Sequence, residues 1–366
     1  EIYFHKGHEF NLRRMMKGMK ASLDYNSKNF SPYQHKQARI IEFPRTLGTF
    51  AQSFPNTIPF SEAVGFIADV DDSDTGGVDY PFAITAHEVA HQWWAHQVIG
   101  ADVLGATMLS ESMSEYVSLK VLEHQHGKEK MRTFLKEALD GYLLQRTLER
   151  KRENALMYND GQGYIRYQKG SLVFYALSDY IGEENLNGAL KKYVEKVQFQ
   201  ESPYTTSIEM VDYINKVTPD SLKYVIKDMF ETITLYRNRI VDVKSTVLEN
   251  GKYKVDIEFN VSKYRNDNKG KRFYGDKVGD TISYKSVKQK KPILSVPLAD
   301  YIDIGIFSEE EVDGKKNEVI LYLKKHKITT INNKITIIVD KKPTEVGVDP
   351  FNKLIDTQSD DNRRKL

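Results

Sequence analysis

The spacing of apolar positions changes once along the chain, from a helical period to a strand period. Residues 8–29 follow the helical period, and a Phe-Ser-Pro run ends it. Residues 37–43 and 63–68 are predicted to be strands, with an irregular, proline-containing segment between them. From Pro81 onward the helical period returns and predicts further helices at 82–99, 110–126, 128–150, 164–181, 183–198, 206–216 and 219–232.

Near Tyr236 the spacing of apolar positions changes to every second residue, which is the period of a β-strand. The alternation recurs at 255–261, 302–306, 319–323 and 335–339. Several strands with short links are typical of a β-sandwich. We therefore predict an α+β chain, with a mainly helical domain and small sheet at 1–236, a β-sandwich at 237–352, and a polar tail at 353–366 that frays.

Composition narrows the classes of function. The chain has 366 residues, of which 40% are apolar and 28% charged, which is ordinary for two globular domains. A net charge of +2 gives no reason to expect nucleic acid, and no apolar run is long enough to predict a membrane span. Cysteine is absent, so disulfides and thiolate ligands are excluded. Because the chain begins with Glu-Ile-Tyr, we expect a piece of a longer protein, whose localisation stays open.

An acidic stretch at 69–81 is predicted to be a loop. Its Asp69, Asp71 and Asp74 are calcium-ligand types. Their spacing departs from the EF-hand pattern and no glutamate closes the loop, so we favour a plain loop.

The run AITAHEVAHQWWAHQVIG carries the strongest chemical signal. Because a helix advances 3.6 residues per turn, His87 and His91 project from one face, where two neutral imidazoles can bind a zinc ion. Glu88 lies beside them, where it can accept a proton from a water that the metal activates. An amphipathic core helix with two buried histidines is the simpler interpretation. The rarity of the motif by chance and the presence of further ligand candidates favour zinc.

A catalytic zinc ion usually takes three protein ligands, so a third is needed. The metzincin pattern requires Gly and His where this chain has Trp94 and Gln97, and His96 falls one residue short. That pattern is excluded. Glu111 lies twenty residues after His91, and a helix–loop–helix of that length can return it to the histidine face.

Glu115, one turn after Glu111, is the rival ligand. We favour a different role for it, as a carboxylate that holds a ligand histidine in the correct tautomer. His96, His124 and His126 are expected to be solvated or to lie behind the ligands rather than to bind metal.

On these residues the chain resembles the gluzincin aminopeptidases of the aminopeptidase N type, peptidase family M-one. HEVAHQWW and SESMSEYV occupy the places of the family's HExxH with its aromatics and of its Asn-Glu-Gly-Phe-like segment. The gap between the second histidine and the glutamate is nineteen residues here and eighteen in the family, and Ser110 and Ser112 replace the usual Asn and Gly. The resemblance spans about residues 1–236. It implies a thermolysin-like catalytic domain with one zinc ion per chain.

The resemblance assigns roles to two further positions. Tyr167 matches the tyrosine of a Tyr-x-Lys-Gly segment that steadies the tetrahedral intermediate, and Tyr164 is its alternative. Upstream, the family carries a Gly-x-Met-Glu-Asn edge strand, whose glutamate binds the substrate amine. Glu62 lies in the matching place, although the Gly, Met and Asn are replaced. The implied set is thus His87, His91 and Glu111 for metal, Glu88 and Tyr167 for catalysis, and Glu62 for the amine.

We therefore predict a zinc metalloaminopeptidase that acts on peptides with a free amino terminus. The first alternative is a thermolysin-like endopeptidase, favoured if Glu62 points away from the metal. The second is a peptide-binding or sensing domain of a membrane module. The resemblance suggests this second alternative, because it is closest to a bacterial branch of the family in which some members are joined to transporter-like membrane segments. The parent protein would then be attached to the cell membrane. A binding module has no need of Glu88, which argues for an enzyme.

Overall fold

The computed structural model describes residues 1–71, 77–273, 296–312 and 315–366. These residues form two units, the first of Glu1–Leu148 with Asn154–Glu231 and the second of Glu149–Glu153 with Thr232–Leu366. The predicted domain limits at 236 and 352 stay predictions. Asp74, one of the three aspartates of the acidic loop, lies outside the described residues.

The first unit is mainly helical, as the apolar period predicts. Within the residues described, no helix combines the length and the apolar character that a membrane crossing requires. The α-helices are α1 (Leu12–Asn29), α2 (Tyr80–Ala90), α3 (Met113–His126), α4 (Met131–Thr147), α5 (Gly170–Ile181), α6 (Glu183–Val197), α7 (Ser207–Val217) and α8 (Lys223–Ile226).

Several of the predicted helices are interrupted or shortened, and the one at 219–232 keeps only the four α-helical residues of α8. The helix predicted at 82–99 ends with α2, and tight turns follow it. The helices predicted at 110–126 and 164–181 begin with π-helical turns, Met108–Ser112 and Ile165–Lys169, before the α-helix continues. A π turn makes i→i+5 bonds and often marks a functional site, and the apolar period does not reveal it.

A small parallel sheet accompanies these helices, in the order β1 (Ile2–Tyr3), β2 (Arg39–Phe43), β3 (Thr57–Ser61). The prediction of a strand at 63–68 is wrong. The strand is β3, which lies in the preceding segment that was predicted to be irregular. Pro59 is tolerated there because β3 is the last strand of the parallel sheet. The Pro59 carbonyl accepts from Gln52 N–H at 3.0 Å, on the side away from β2, so the missing N–H also falls outside the parallel ladder.

Helix α2 is held between α1 and α3, and most of its side chains are buried. Ser22 of α1 donates to the Ala86 carbonyl at 2.7 Å, and Ser118 of α3 donates to the Ala83 carbonyl at 2.8 Å. These hydroxyl groups fix the position of α2 against both neighbours.

The second unit is built from two antiparallel sheets. Alternate apolar residues of both sheets, among them Ile257 and Ile304, form one shared core, as a β-sandwich requires. Its strands are β4 (Ile233–Val247), β5 (Tyr253–Asn266), β6 (Arg272–Phe273), β7 (Asp300–Val312), β8 (Lys315–Ile328), β9 (Asn332–Val339), β10 (Glu345–Val348) and β11 (Arg363–Lys365). One sheet contains β4, β5, β6 and β9, and the other contains β7, β8, β10 and β11.

The prediction that the polar tail frays is wrong. Strand β11 pairs antiparallel with β10, and Leu354 and Ile355 are buried. The Asp356 carboxylate is also buried and accepts from the Asn238 N–H at 2.8 Å. Polar residues therefore complete the sandwich instead of extending into solvent.

The close packing of α1 on α2 gives a first testable prediction. A Cβ atom at Gly18 would lie 2.7 Å from the Phe82 carbonyl oxygen of α2. Gly18→Ala should therefore lower the free energy of unfolding by about 1–3 kcal/mol, measured by urea denaturation. Gly188→Ala in α6 is the matched control, because a Cβ there meets nothing within 4 Å. This control should be neutral or more stable by about 0.5–1 kcal/mol. Equal free energies of unfolding for the two variants would contradict the close approach of α1 to the Phe82 carbonyl of α2.

Candidate metal centre

The HEVAH run forms the carboxyl-terminal end of α2. The His91 N–H donates to the His87 carbonyl at 3.3 Å, so the helical turn that separates the two histidines is intact. His87, Glu88 and His91 are all buried. The structure therefore places both imidazoles on one face of a helix that is fixed on two sides.

Three ligand atoms converge at this face. His87 Nε2 and His91 Nε2 lie 3.0 Å apart, and Glu111 Oε2 lies 3.4 Å from the first and 3.2 Å from the second. A tetrahedral zinc ion with bonds of about 2.1 Å holds its ligand atoms about 3.4 Å apart. The separations therefore suit three ligands of one ion.

The His91 ring is oriented through its other nitrogen. Its Nδ1 lies 2.9 Å from the Trp94 carbonyl oxygen and 3.0 Å from Ser114 Oγ. Ala95 has a φ of +155°, which non-glycine residues rarely adopt. In this turn the Trp94 carbonyl, which belongs to the peptide bond before Ala95, points back at the His91 ring. Ser114 and this turn have no signature in the sequence and were not predicted.

The His87 ring is oriented in a similar way. Its Nδ1 faces Glu115 Oε1 at 3.1 Å, so Glu115 lies behind the ligand, as we expected, and not in the three-atom cluster. A carbonyl oxygen only accepts, so Nδ1 of His91 carries the proton and its Nε2 lone pair faces the Glu111 oxygen, and the Glu115 carboxylate near His87 Nδ1 favours the same tautomer in that ring. Three such atoms repel one another unless a cation lies between them. The donor set therefore fits a zinc ion.

Glu111 lies in the π turn Met108–Ser112. A π turn holds one residue more than an α turn. Glu111 reaches the histidine face across the nineteen residues that separate it from His91.

The second π turn, Ile165–Lys169, carries Tyr167. The Tyr167 ring lies beside the His87 ring, with the two centroids 6.1 Å apart. Tyr164, the alternative, is buried and packs on Tyr142 instead. The two π turns touch each other, since Ser112 Oγ donates to the Arg166 carbonyl at 2.7 Å.

Burial shapes the charges of the site. It raises the pKa of Glu88, against the opposing effect of His87 and His91. Burial, with the nearby Glu111 charge, raises the pKa of Tyr167 to about 12, so its phenol keeps its proton at neutral pH.

Two cavities open on the cluster. The first, which we name the rim cavity, has a volume of about 320 Å³, and residues 50–53 line it together with His87, Glu88 and Tyr167. The second, the Glu137 cavity, has a volume of about 430 Å³ and shares those last three residues. It extends between α2, α3 and α4. The cluster is therefore open to two cavities.

The structure does not bring Glu62 into the lining of either cavity. Its Oε1 accepts from the Arg45 N–H at 3.1 Å, and its Oε2 lies 3.8 Å from His8 Nδ1, which is bonded to Glu42. The segment beside the cluster is instead 50–53, which runs antiparallel to β3. Sequence reasoning missed this segment because the prolines around it predicted irregular structure.

The remaining histidines lie outside the three-atom cluster. His124 Nε2 lies 3.5 Å from Glu183 Oε1, and the His126 ring packs on the Phe82 ring. Burial lowers the pKa of His96.

Comparison with protein families gives one match. A family model described as the peptidase family M1 domain matches residues 19–232, more than half of the chain. No curated protein matches the sequence.

Solved structures give matches of low identity. An M1 zinc metallopeptidase from Deinococcus radiodurans is 17% identical with a TM-score of 0.45, and a variant of it bound to a Tyr-Ser-Ala substrate is 16% identical with a TM-score of 0.46. A two-domain M1 zinc metallopeptidase variant bound to L-arginine is 16% identical with a TM-score of 0.45. Each match covers 62% of this chain and 46% of the other, so the chain spans less than half the length of these proteins.

The contact between the π turns gives a second prediction. A Cβ atom at Gly170 would lie 2.2 Å from Ser112 Oγ. Gly170→Ala should therefore separate the turns that carry Glu111 and Tyr167, and it should weaken zinc binding about tenfold or more, measured by competition with a chelator.

The double variant Gly170→Ala with Ser112→Gly removes the obstructing side chain and is the matched control. It should recover much of the lost affinity. Wild-type zinc affinity in Gly170→Ala alone would show that the two turns do not constrain each other.

Proposed function

The chain belongs to peptidase family M1, and on that premise we propose that its first unit hydrolyses peptide bonds with a zinc ion held by His87, His91 and Glu111. The observation that carries this proposal is the convergence of three lone-pair atoms at 3.0–3.4 Å, with the Nδ1 of both imidazoles directed at acceptors outside the cluster. Such an arrangement is stable when a cation lies among the three atoms.

Glu88 is the proposed general base. Zinc in this place supplies Lewis acidity, which activates a water molecule at neutral pH and polarises a peptide carbonyl. Glu88 lines both cavities together with His87, and burial raises the pKa of its carboxyl group. It accepts the proton of the attacking water and returns it to the leaving amine. A raised pKa suits both transfers, because the group must take up a proton and release it again.

Tyr167 is the proposed donor to the carbonyl oxygen. Its phenol lines both cavities and stays protonated, with a pKa of about 12. An O–H group directed at the oxygen as negative charge develops there stabilises the transition state more than the ground state.

The segment 50–53 would align the peptide backbone. Phe50 O accepts from Ser61 N–H and Gln52 N–H donates to Pro59 O, both at 3.0 Å, so these groups face β3. Because backbone groups alternate along an extended segment, those of Ala51 face the opposite side. An extended peptide can pair with that edge.

Removal of single residues from a free amino terminus is the finer proposal, and its support is the family. This activity requires a group that binds the substrate ammonium. One specific observation favours the second candidate, an endopeptidase: the Glu62 carboxylate is engaged by Arg45 and is not part of either cavity lining. Both candidates use the same metal and the same base.

Glu88→Gln tests the reaction itself. The amide keeps the size of the side chain but cannot accept the proton, so turnover of peptide substrates should fall by about 100-fold or more while zinc content stays at one ion per chain. The exposed Glu184→Gln is the matched control and should keep full turnover. Undiminished hydrolysis by the Glu88 variant would exclude Glu88 as the base.

Paired substrates test the choice between the two candidates. We expect Glu62→Gln to change kcat/KM equally for free and amino-blocked forms of one peptide, since Glu62 lies outside both cavity linings. A loss confined to free peptides would make Glu62 the amine anchor after all. In the unmodified protein, cleavage confined to free peptides supports the aminopeptidase, and equal cleavage of both forms supports the endopeptidase.

A further inference from the structure

Most of the residues that line the Glu137 cavity have no role in the chemistry proposed above. It begins at the reacting groups, because His87, Glu88 and Tyr167 form part of its wall. Any peptide bound at the cluster therefore has this cavity beside it. At about 430 Å³ the cavity has room for one large side chain of that peptide.

The walls of the cavity are largely apolar. Ile84 of α2, Leu119 and Leu122 of α3, and Phe134 of α4 contribute to them. Walls of this kind suit an aliphatic or aromatic side chain, or the methylene stem of a long polar one.

Two further carboxylates distinguish this cavity from an ordinary apolar pocket. Glu115 lies near the cluster, with Oε1 at 3.1 Å from His87 Nδ1. Glu137 lies on α4, where it is exposed, and its Oε2 accepts from the Tyr80 hydroxyl at 3.0 Å. Among the described residues that line the cavity, none is a lysine or an arginine. The cavity therefore combines apolar walls with the Glu137 carboxylate, whose charge no lysine or arginine of the described lining offsets.

We propose that the Glu137 cavity binds a lysine or arginine side chain of the peptide, at a position that flanks the cleaved bond. The apolar walls contact the methylene stem, and the Glu137 carboxylate pairs with the cationic end. A glutamate side chain would meet like charge in the same place. This inference rests on the proposed peptidase function and names the residue type that the site prefers.

A peptide series tests the inference. The peptides differ only in carrying Lys, Leu or Glu at either position beside the cleaved bond. At one of the two positions, kcat/KM for Lys should exceed that for Leu about fivefold and that for Glu by more, and the Lys preference should shrink at high salt. Equal values for Lys and Leu at both positions would overturn the inference.

Variants of α4 assign the preference to one carboxylate. Glu137→Gln should lower the Lys-to-Leu ratio about fivefold, and Glu137→Lys should reverse the order of Lys and Glu peptides. Asp140→Asn is the matched control, because Asp140 lies on the same helix, outside the cavity lining, and pairs with Lys136. It should leave the ratio unchanged. An equal fall in both neutral variants would mean that only the overall charge of the surface matters.

Binding separates failure of this inference from failure of the proposed function. The zinc-loaded Glu88→Gln protein should bind the Lys peptide about fivefold more tightly than the Leu peptide, by isothermal titration calorimetry. If no peptide is cleaved by the unmodified protein but this difference is present, the peptidase proposal fails and the pocket assignment stands. If peptides are cleaved and the difference is absent from both assays, only the pocket assignment fails.

Discussion

The mutual repulsion of three electron-rich atoms is the constraint on which the first unit depends. The two imidazole Nε2 atoms and Glu111 Oε2 are held 3.0–3.4 Å apart by α2 and by the π turn that follows it in the chain. The side chains behind them, Glu115 and Ser114, direct their own polar atoms at the Nδ1 positions and keep both Nε2 lone pairs turned inward. A cation removes the repulsion, so metal binding and the stability of the surrounding fold are coupled.

The packing around α2 shows how such an unfavourable arrangement is held. Hydroxyl groups from α1 and α3 bond to the carbonyls of α2, and Gly18 allows α1 to approach its backbone. On the other side, Ser112 of the first π turn packs closely on Gly170, which follows the second π turn, and a larger residue at 170 has no room there. The geometry of the site is therefore a property of several small contacts, and none of them is made by a proposed ligand.

The parts of this account that could be predicted are those governed by local geometry. The spacing of His87 and His91 fixes their common face once a helix is assumed, and alternation fixes the inward side of each sandwich strand. The amine-binding role of Glu62 was assigned from a sequence resemblance. Which segment borders the site depends on how β3 pairs, and Pro59 led us to predict irregular structure where β3 lies. The π turns leave no mark in the apolar period. The carboxyl-terminal tail is polar in composition, yet it buries Asp356 in a hydrogen bond that the sequence does not reveal.

X-ray absorption at the zinc edge tests the central claim most directly, because it reports the ligands of the metal whether or not peptides are cleaved. The account predicts one zinc ion per chain, with a first shell of nitrogen and oxygen atoms and the scattering signature of two imidazoles. It also predicts that His91→Ala reduces that signature to one imidazole and that Glu62→Ala leaves it unchanged. A protein that binds no stoichiometric zinc, or that keeps two imidazoles in His91→Ala, would contradict it.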